Sequence, residues 1–328
     1  MSAWALVLVL ASFQPEIVVS RLFAATTEGA FVSYSWGEHW TRLRPAMRGL
    51  SGELRAFACL GSNVFAGGSD GVFVSDDFGE NYRLLEDFEG EDVTTLQAAR
   101  LFALEPTLFA GTETGLYRSK NAGAEWEQIG AETIRMAVRA LAWPGPELFV
   151  ASDGGLFVSD DAGDSWDRVG KGLPRVPILS IALSQLFGLD PTIFVGTRDA
   201  GLYRSSDGGA AFERVDHELL MDKSVEALFW WGELLLIGTE DGLLLSNDGG
   251  DTLREVETFR GRAVRTINVP SPEGFSQSDV IVGTDAGVFK SSDGAISFRL
   301  MSEGIGTPLV FDLATFPQPP QSFEPPRH

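Results

Sequence analysis

The sequence predicts an all-β protein, built as a single seven-bladed β-propeller of four-stranded antiparallel blades. Two observations lead to this prediction. A block of two β-forming runs joined by an acidic or glycine-containing turn recurs along the chain, as in VFAGGSDGVFV before Asp76. An eight-residue motif, Ser-x-Asp-x-Gly-x-x-aromatic, follows each block with a mean spacing of 43 residues and begins at Ser33, Ser75, Ser119, Ser159, Ser205, Ser246 and Ser291. A repeat of this length with four strands is typical of a propeller blade.

Each repeat contains enough β-forming sequence for four strands. The two runs of the block form a hairpin, because acidic residues and glycine tolerate the positive φ of tight turns. A shorter apolar run lies upstream, such as VRALAW from Val138, and a fourth follows the motif, such as WDRVG from Trp166. A strand with its turn therefore comes every ten or eleven residues on average, which is the spacing of all-β folds.

Both ends of the chain carry a run that resembles an innermost strand: WALVLVLA at residues 4–11 and LVFDLATF at residues 309–316. A closed ring of seven blades needs only seven innermost strands, so one terminal run is spare or reinforces the seam. The sequence leaves both alternatives open. We expect the propeller to occupy residues 1–316. Residues 317–328 have five prolines in twelve positions and predict an extended, mobile tail.

The acidic residues of the repeated motif are interpreted as turn residues. Ser and Asp side chains close turns on their own backbone, and glycine supplies the strained conformation. The third position is Asp in five copies, Asn121 in one and Ser35 in one, a drift that a turn tolerates better than a ligand set does. Calcium binding is the alternative, but the spacing of an EF-hand loop is not met. The predicted turn aspartates are Asp77, Asp161, Asp207, Asp248 and Asp293.

The motif resembles the Asp-box of the BNR-repeat β-propeller superfamily, which includes sialidases, xyloglucanases, sortilin-type receptors and the photosystem II assembly-factor family. The resemblance covers the chain from about Trp4 to Thr315. It implies that each motif lies between the third and fourth strands of a blade. It also implies that the aromatic residue at the eighth position, such as Trp126 or Trp166, fills the space between blades. Because these families have unrelated functions, the resemblance implies a fold and not an activity.

The net charge and the cysteine and histidine content make several kinds of partner and cofactor less favourable. The 46 acidic and 25 basic residues give a net charge of −21, which disfavours nucleic acid and anionic membranes and favours cationic partners. A single cysteine, Cys59, excludes an internal disulfide. The three histidines, His39, His217 and His328, have no metal-ligand spacing. We therefore predict a protein without cofactor or metal.

The expected cellular location depends on whether residues 1–14 form a strand or act as a secretion signal. Their apolar run at residues 4–11 is too short to span a bilayer, and no Lys or Arg precedes it. We interpret it as a strand and expect a cytoplasmic protein without a membrane span. The alternative is a secreted or periplasmic protein in which residues 1–14 act as a signal.

The sequence also predicts that the chain is not an enzyme. Resemblance to sialidases would imply a tyrosine nucleophile and a Phe-Arg-Ile-Pro signature, yet the signature is missing and the tyrosines, Tyr34, Tyr82, Tyr117 and Tyr203, all occupy repeat positions. Resemblance to xyloglucanases would imply two carboxylates across a cleft between tandem propellers, and the chain is long enough for one propeller.

Three tryptophans keep carbohydrate binding open as an alternative. Trp143, Trp230 and Trp231 lie at or just past innermost strands, where a flat aromatic ring can stack on a sugar. The competing interpretation is aromatic packing at the base of the blades.

The loops that lead into the innermost strands converge at one mouth of the channel, the usual binding face of a propeller. The hairpin turns on this face predict an acidic ring, with ordinary turn chemistry as the alternative; its members are Glu28, Asp70, Glu113, Asp153, Asp199, Asp241 and Asp285. Basic residues recur closer to the axis. Arg55, Arg139 and Arg265 occupy the second position of an innermost strand, and the loops add Arg48, Arg135, Arg175, Lys223 and Arg262.

Arginine suits bidentate contacts with carboxylates and phosphates. Resemblance to the photosystem II assembly-factor family implies an arginine-rich patch for partner binding. We therefore predict a non-catalytic protein-interaction or assembly scaffold that binds a protein partner at the channel mouth through Arg55, Arg135, Arg139, Arg175, Arg262 and Arg265. Two alternatives remain. The arginines pair with acids of neighbouring blades, or the protein is carbohydrate-active, as a glycoside hydrolase or a sugar-binding propeller.

Overall fold

The seven predicted repeats form seven four-stranded antiparallel sheets, which confirms the predicted fold class. The computed structural model describes residues 21–43, 53–98, 106–145, 147–184, 187–269 and 279–316. Within these ranges the only helical segments are three single turns of 3-10 helix, at Glu86–Phe88, Glu218–Leu220 and Glu257–Phe259.

The strands are numbered in chain order and grouped into blades 1–7. Blade 1 contains β1 (Arg21–Thr26), β2 (Gly29–Ser33), β3 (Thr41–Arg42) and β28 (Val310–Phe316). Blade 2 contains β4 (Leu54–Leu60), β5 (Asn63–Gly68), β6 (Gly71–Ser75) and β7 (Arg83–Leu84). Blade 3 contains β8 (Val93–Ala98), β9 (Leu108–Thr112), β10 (Leu116–Ser119) and β11 (Glu127–Ile129). Blade 4 contains β12 (Val138–Ala142), β13 (Leu148–Ser152), β14 (Gly155–Ser159) and β15 (Asp167–Val169).

The remaining blades repeat this order. Blade 5 contains β16 (Ile178–Leu183), β17 (Ile193–Thr197), β18 (Leu202–Ser205) and β19 (Glu213–Arg214). Blade 6 contains β20 (Val225–Trp231), β21 (Leu234–Thr239), β22 (Gly242–Ser246) and β23 (Arg254–Val256). Blade 7 contains β24 (Val264–Asn268), β25 (Val280–Thr284), β26 (Gly287–Ser291) and β27 (Arg299–Leu300). Neighbouring innermost strands contact one another in a closed circle, in the order β28, β4, β8, β12, β16, β20 and β24.

The ring closes through the C-terminal strand. β28 pairs antiparallel with β1, so that Leu22 lies opposite Thr315 and Ala24 opposite Leu313. Of the two terminal runs, residues 309–316 thus supply the innermost strand of blade 1. The run at residues 4–11 and the predicted tail, residues 317–328, lie outside the described residues. Sharing one sheet between distant parts of the chain covers a strand edge that would otherwise be free.

The hydrophobic core lies between the blades. Each of seven buried clusters draws its members from two adjacent blades, and the seven together complete the circle. The cluster between blades 3 and 4, for example, joins Phe109 and Ile134 to Val150 and Phe157. The second strands of the blades are buried on both faces, because each packs against a neighbour on either side.

The repeated motif forms the turn between the third and fourth strands of every blade. In blade 4, Ser159 Oγ accepts a hydrogen bond from the Gly163 N–H (2.7 Å) and donates one to Asp161 Oδ1 (2.7 Å). Asp161 Oδ1 also accepts the Ser165 N–H at 2.8 Å. Asp77, Asp207, Asp248 and Asp293 accept the equivalent backbone N–H in their own turns. These carboxylates bond their own turn, as the turn interpretation expects.

These hydrogen bonds hold the carboxylates ionised. Bonds from Ser165 lower the pKa of Asp161 well below its usual value, and the equivalent bonds from Thr252 lower the pKa of Asp248 to about 2. The same turns keep the fourth motif residue at positive φ even where it is not glycine, as at Ala162 (φ 56°) and Phe78 (φ 63°). A left-handed conformation costs an L-residue about 1–2 kcal/mol, so the hydrogen-bond network offsets local strain.

The tryptophans at the eighth motif position pack between blades. Trp126 of blade 3 packs edge-on against Phe88, with ring centroids 5.0 Å apart, in the cluster that joins blades 2 and 3. Trp166 of blade 4 packs against the cluster that joins blades 3 and 4. Each ring therefore joins its blade to the preceding one.

Candidate functional site

A β-bulge near the start of every innermost strand brings seven side chains into the central channel. In blade 4, Val138 pairs with Ser152 and Ala140 pairs with Ala151, which leaves Arg139 without a strand partner. A bulge turns the extra residue away from the regular ladder. The same register shift occurs in all seven blades, and its residues line one cavity of about 450 Å³. We call these residues the mouth ring: Phe311, Arg55, Thr94, Arg139, Leu179, Glu226 and Arg265.

Arg139 is the most heavily bonded member of the mouth ring. Its guanidinium binds Asp153 of its own blade through Nε (2.9 Å) and Nη2 (2.7 Å). It also binds Glu113, in the hairpin turn of blade 3, through Nη1 (2.6 Å) and Nη2 (3.2 Å). These bonds raise the pKa of Arg139 and lower the pKa of Asp153. Four of the five N–H donors of Arg139 are thus used inside the protein.

The other two arginines of the mouth ring are also paired. Arg55 binds Glu53 at 2.6 Å and Asp92 of the next blade at 2.5 Å. Arg265 binds Glu226, the mouth-ring residue of blade 6, at 2.5 Å. The three arginines therefore face five carboxylates. These arginines therefore pair with acids, three of the five from neighbouring blades, which is the alternative given above. They do not form an open cationic patch near the axis.

The predicted loop residues are distributed differently. Arg135 pairs with Glu132 on the surface, Lys223 pairs with Asp241, and Arg262 lies over the ring of Phe289, 5.3 Å from its centroid. Arg48 lies outside the described residues. Arg175 is exposed and forms no ion pair within the described part of the chain.

The structure adds Arg198, which the sequence analysis did not single out. It lies in the hairpin turn of blade 5, which has one residue more than the turns of most other blades, and this insertion is the signal that was missed. Its N–H donates to the Pro177 carbonyl (3.0 Å), which places Arg198 against the loop that holds Arg175. Like Arg175, it is exposed and lies within 4 Å of no carboxylate among the residues that the structure describes, but its charge contributes to the lowered pKa of Asp153.

Two exposed methionines lie in the loops that enter the neighbouring blades on the same face. Met136, in the loop entering blade 4, is 50% exposed, and Met221, in the loop entering blade 6, is 54% exposed. The blade 5 hairpin touches the second of these loops, because the Gly201 N–H bonds to the Lys223 carbonyl at 2.9 Å. We call Met136, Arg175, Arg198 and Met221 the mouth patch. It combines exposed apolar and cationic side chains on a chain of net charge −21.

Asp312 lies in the channel wall where blade 1 meets blade 2. Its Oδ2 accepts the N–H of Phe57 in blade 2 (2.8 Å), and its Oδ1 accepts its neighbour's N–H. Burial raises the pKa of Asp312 to about 6, because these two bonds only partly offset the loss of solvation. Asp312 thus joins blade 1 to blade 2 at the point where the ring closes.

The opposite end of the channel has a different lining. The sixth residue of each innermost strand lies at this end, and the seven are Thr315, Cys59, Ala98, Trp143, Leu183, Trp230 and Val269. We call them the base rim. All are half-buried and none is charged. Trp143 packs edge-on against Phe109 (5.2 Å) and Trp230 against Phe194 (5.1 Å), as the packing interpretation of these residues expects.

Comparison with known proteins supports the fold. No family model matches the chain, and no curated protein sequence matches it. The extracellular domain of BT4673 from B. thetaiotaomicron has a TM-score of 0.66 at 15% identity, over 85% of this chain and 39% of that one. A GH74 enzyme from Niastella koreensis has a TM-score of 0.66 at 14% identity, over 87% and 52%. YCF48 bound to D1 peptide has a TM-score of 0.63 at 12% identity, over 84% and 94%.

At these identities the likeness shows the propeller fold alone. The chain spans less than half of the first protein and about half of the GH74 enzyme, but most of the YCF48 chain. In the described ranges no helix is long and apolar enough to cross a membrane. Those ranges also contain no group of three His, Cys, Asp or Glu side chains arranged to hold a metal ion.

Proposed function

We propose that the chain is a non-catalytic protein-interaction or assembly scaffold and that its partner binds at the mouth face. The observation that carries this proposal is the mouth patch. Arginine and methionine are both enriched in protein interfaces, and methionine adapts its shape to a partner. Arg175 and Arg198 are exposed and form no ion pair within the described ranges, which favours a partner segment that presents carboxylates beside apolar side chains.

The mouth ring has a positioning role in this proposal. Arg139 holds the hairpin turns of blades 3 and 4 together, and Arg265 joins blade 7 to blade 6. A surface fixed in advance loses little conformational entropy when a partner binds. The ion pairs of the ring therefore serve binding by keeping the face rigid, while the mouth patch makes the contacts.

The structural comparison supports the same class of function. YCF48 is described as bound to D1 peptide, and the match covers 84% of this chain and 94% of the YCF48 chain. That shared size and fold favour protein or peptide binding for a chain with one propeller, whereas the GH74 enzyme is about twice as long as the part that matches.

Charge reversal of the mouth patch tests the proposal. We expect the double variant Arg175→Glu/Arg198→Glu to lose at least about 90% of partner capture from native lysate, because two favourable charges become repulsive. Its melting temperature should stay within about 2 °C of the parent, since both residues are exposed. Capture is measured by affinity purification and quantitative mass spectrometry.

The matched control is Arg83→Glu/Arg214→Glu, which makes the same charge change at exposed arginines of outermost strands. It should capture the partner as the parent does. Equal losses in the two double variants would show only a net-charge effect and would contradict the assignment of the mouth patch.

A carbohydrate-active protein is the second candidate. The match to a GH74 enzyme over 87% of this chain favours it, as does the position of Trp143 at the base rim. Release of reducing ends from xyloglucan by the purified chain, lost on substitution of a channel carboxylate such as Glu226, would replace the scaffold proposal with an enzymatic one.

A cytoplasmic location is also part of the proposal, with secretion through residues 1–14 as the alternative. Mass spectrometry of the N-terminus of the native protein distinguishes them. A chain that retains residues 1–14 supports the cytoplasmic location, and a chain cleaved near residue 14 supports export.

A further inference from the structure

Two methionines of the mouth patch are open to chemical modification. The chain has five methionines, and the structure describes three of them: Met136, Met221 and Met301. Met301 is 3% exposed and lies in the buried cluster that joins blades 7 and 1. Met136 and Met221 are half exposed, and both lie on the face where we place the partner.

Met136 is fixed to the hairpin turn of blade 4. The Ala137 carbonyl beside it accepts the N–H of Asp153 at 2.9 Å. The Met136 sulfur lies 3.6 Å from the position that a Cβ on Gly154 would take, so the glycine leaves room for the thioether to pack over the turn. Bonds from Arg139 lower the pKa of Asp153, and the charge of Arg198 adds to this effect. Met136 and Arg198 are therefore neighbours of the same hairpin turn.

Met221 is fixed relative to the same arginine from the other side of blade 5. It lies in the loop entering blade 6, where the Ser224 hydroxyl donates to Asp199 Oδ1 (2.8 Å) and accepts the Asp199 N–H (3.1 Å). Asp199 follows Arg198 directly in the blade 5 hairpin. These bonds hold the loop of Met221 against the turn that carries Arg198.

Peroxides convert a methionine thioether to a sulfoxide. The sulfur attacks one oxygen of hydrogen peroxide, an S–O bond forms and the O–O bond breaks. The sulfur is oxidised by two electrons, and the second oxygen leaves with both protons as water. The product is polar where the thioether was apolar, and sulfoxide reductases reverse the reaction. Because reaction follows exposure, Met136 and Met221 should be oxidised before Met301.

We propose that Met136 and Met221 are modification sites at which oxidation by hydrogen peroxide releases the partner from the mouth patch. As thioethers they supply adaptable apolar contact area beside Arg175 and Arg198. As sulfoxides they bring into the interface polar oxygens that have no donor there, and such buried acceptors weaken binding. This inference rests on the proposed function, because it concerns the regulation of the same surface.

A partly oxidised bait tests the proposal without any substitution. Hydrogen peroxide oxidises about half of Met136 and Met221 in the purified full chain and is then removed with catalase. The bait is mixed with the partner fraction eluted from the untreated parent, and size-exclusion chromatography separates bound from free chains. By peptide mass spectrometry, sulfoxide at these two positions should be at least about tenfold rarer in the bound chains. Sulfoxide reductase should restore binding of the free chains.

Two double variants assign the effect to these positions. Met136→Gln/Met221→Gln imitates the polarity of the sulfoxides and should lower capture at least about tenfold without peroxide. Met136→Leu/Met221→Leu carries apolar side chains of similar size that peroxide does not oxidise, so its capture should be the same before and after treatment. Equal sulfoxide content in the bound and free chains of the parent would overturn the proposal, and so would capture by the glutamine variant at the parental level.

The results also separate this proposal from the proposed function. Arg175→Glu/Arg198→Glu should lose the partner in either oxidation state. If it loses the partner while the sulfoxides of the parent are equally frequent in bound and free chains, only the oxidation proposal fails. If it retains the partner, or if the untreated parent captures none, the proposed function fails and the oxidation proposal fails with it.

Discussion

The two ends of the channel are formed by the same seven innermost strands, but only the mouth carries charged side chains at the compared positions. At the mouth, four of the seven bulge residues are charged, and the arginines among them are bound by five carboxylates. At the base, four positions further along each strand, no charged residue occurs. The repeat therefore gives both ends the same backbone, while the side chains that face the channel differ in charge between the two ends.

The backbone explains why charge collects at the mouth. Each bulge turns one side chain toward the channel beside hairpin turns that carry an acid. An arginine at this position lies within ion-pair distance of these carboxylates, as Arg139 does with Glu113 and Asp153. At the base, Trp143 and Trp230 pack edge-on against phenylalanines of the second strands, which favours apolar residues there.

The largest effect on stability is expected from the packing between blades, which supports both ends of the channel. Trp166→Ala should lower the free energy of unfolding by about 3 kcal/mol, because it empties the space between blades 3 and 4. Urea denaturation of the purified variant measures the change. A variant that unfolds at the same urea concentration as the parent would show that Trp166 does not join the blades.

A smaller and pH-dependent effect should distinguish the mouth. Arg139→Ala leaves Glu113 and Asp153 without their shared cation and should cost about 2 kcal/mol at pH 7. Because Arg139 lowers the pKa of Asp153, its stabilisation is present above the ordinary carboxyl pKa and is lost as pH falls through the folded value. The difference from the parent should therefore be smaller at pH 3 than at pH 7.

The base provides the comparison for this measurement. Trp143→Leu removes an uncharged contact, so its effect on the urea midpoint should be the same at pH 7 and pH 3. A pH-independent deficit in Arg139→Ala would contradict the ionic description of the mouth ring.

The smallest effect concerns Asp312 at the seam. Its raised pKa means that the folded protein binds the proton more tightly than the unfolded chain does, so this group favours folding at low pH and opposes it as pH rises through about 6. Asp312→Asn should therefore compare more favourably with the parent at pH 8 than at pH 4, where the parent carboxyl is also neutral. Thermal melts at both pH values measure this. Asp293→Asn, at a carboxylate of lowered pKa, should instead destabilise at pH 8.

The sequence predicted the fold because its signals are local and repeated. Each turn motif closes on its own backbone, and each hairpin carries its own turn residues, so the copies reinforce one another. The choice between the two terminal strands could not be predicted, since both runs have the same apolar pattern. It depends on contacts between residues far apart in sequence, such as Leu22 with Thr315.

The candidate site was predicted in part. The sequence placed Arg55, Arg139 and Arg265 at one repeat position but could not show that carboxylates from the adjacent hairpins and strands would bind them. It could not identify the bulges, because an extra residue changes the hydrogen-bond register without changing composition. The exposed pair, Arg175 and Arg198, becomes evident only when the loops of blade 5 are brought together.

The most direct comparison of the two ends of the channel is to measure partner capture by the parent and by one variant at each end. The parent, Arg175→Glu/Arg198→Glu and Trp143→Leu are used to purify the partner from the same native lysate, with equal amounts of folded bait. We predict that the first variant loses the partner and that Trp143→Leu retains it at the parental level. Retention by the mouth-patch variant together with loss by Trp143→Leu would place the binding surface at the base and contradict the proposed function.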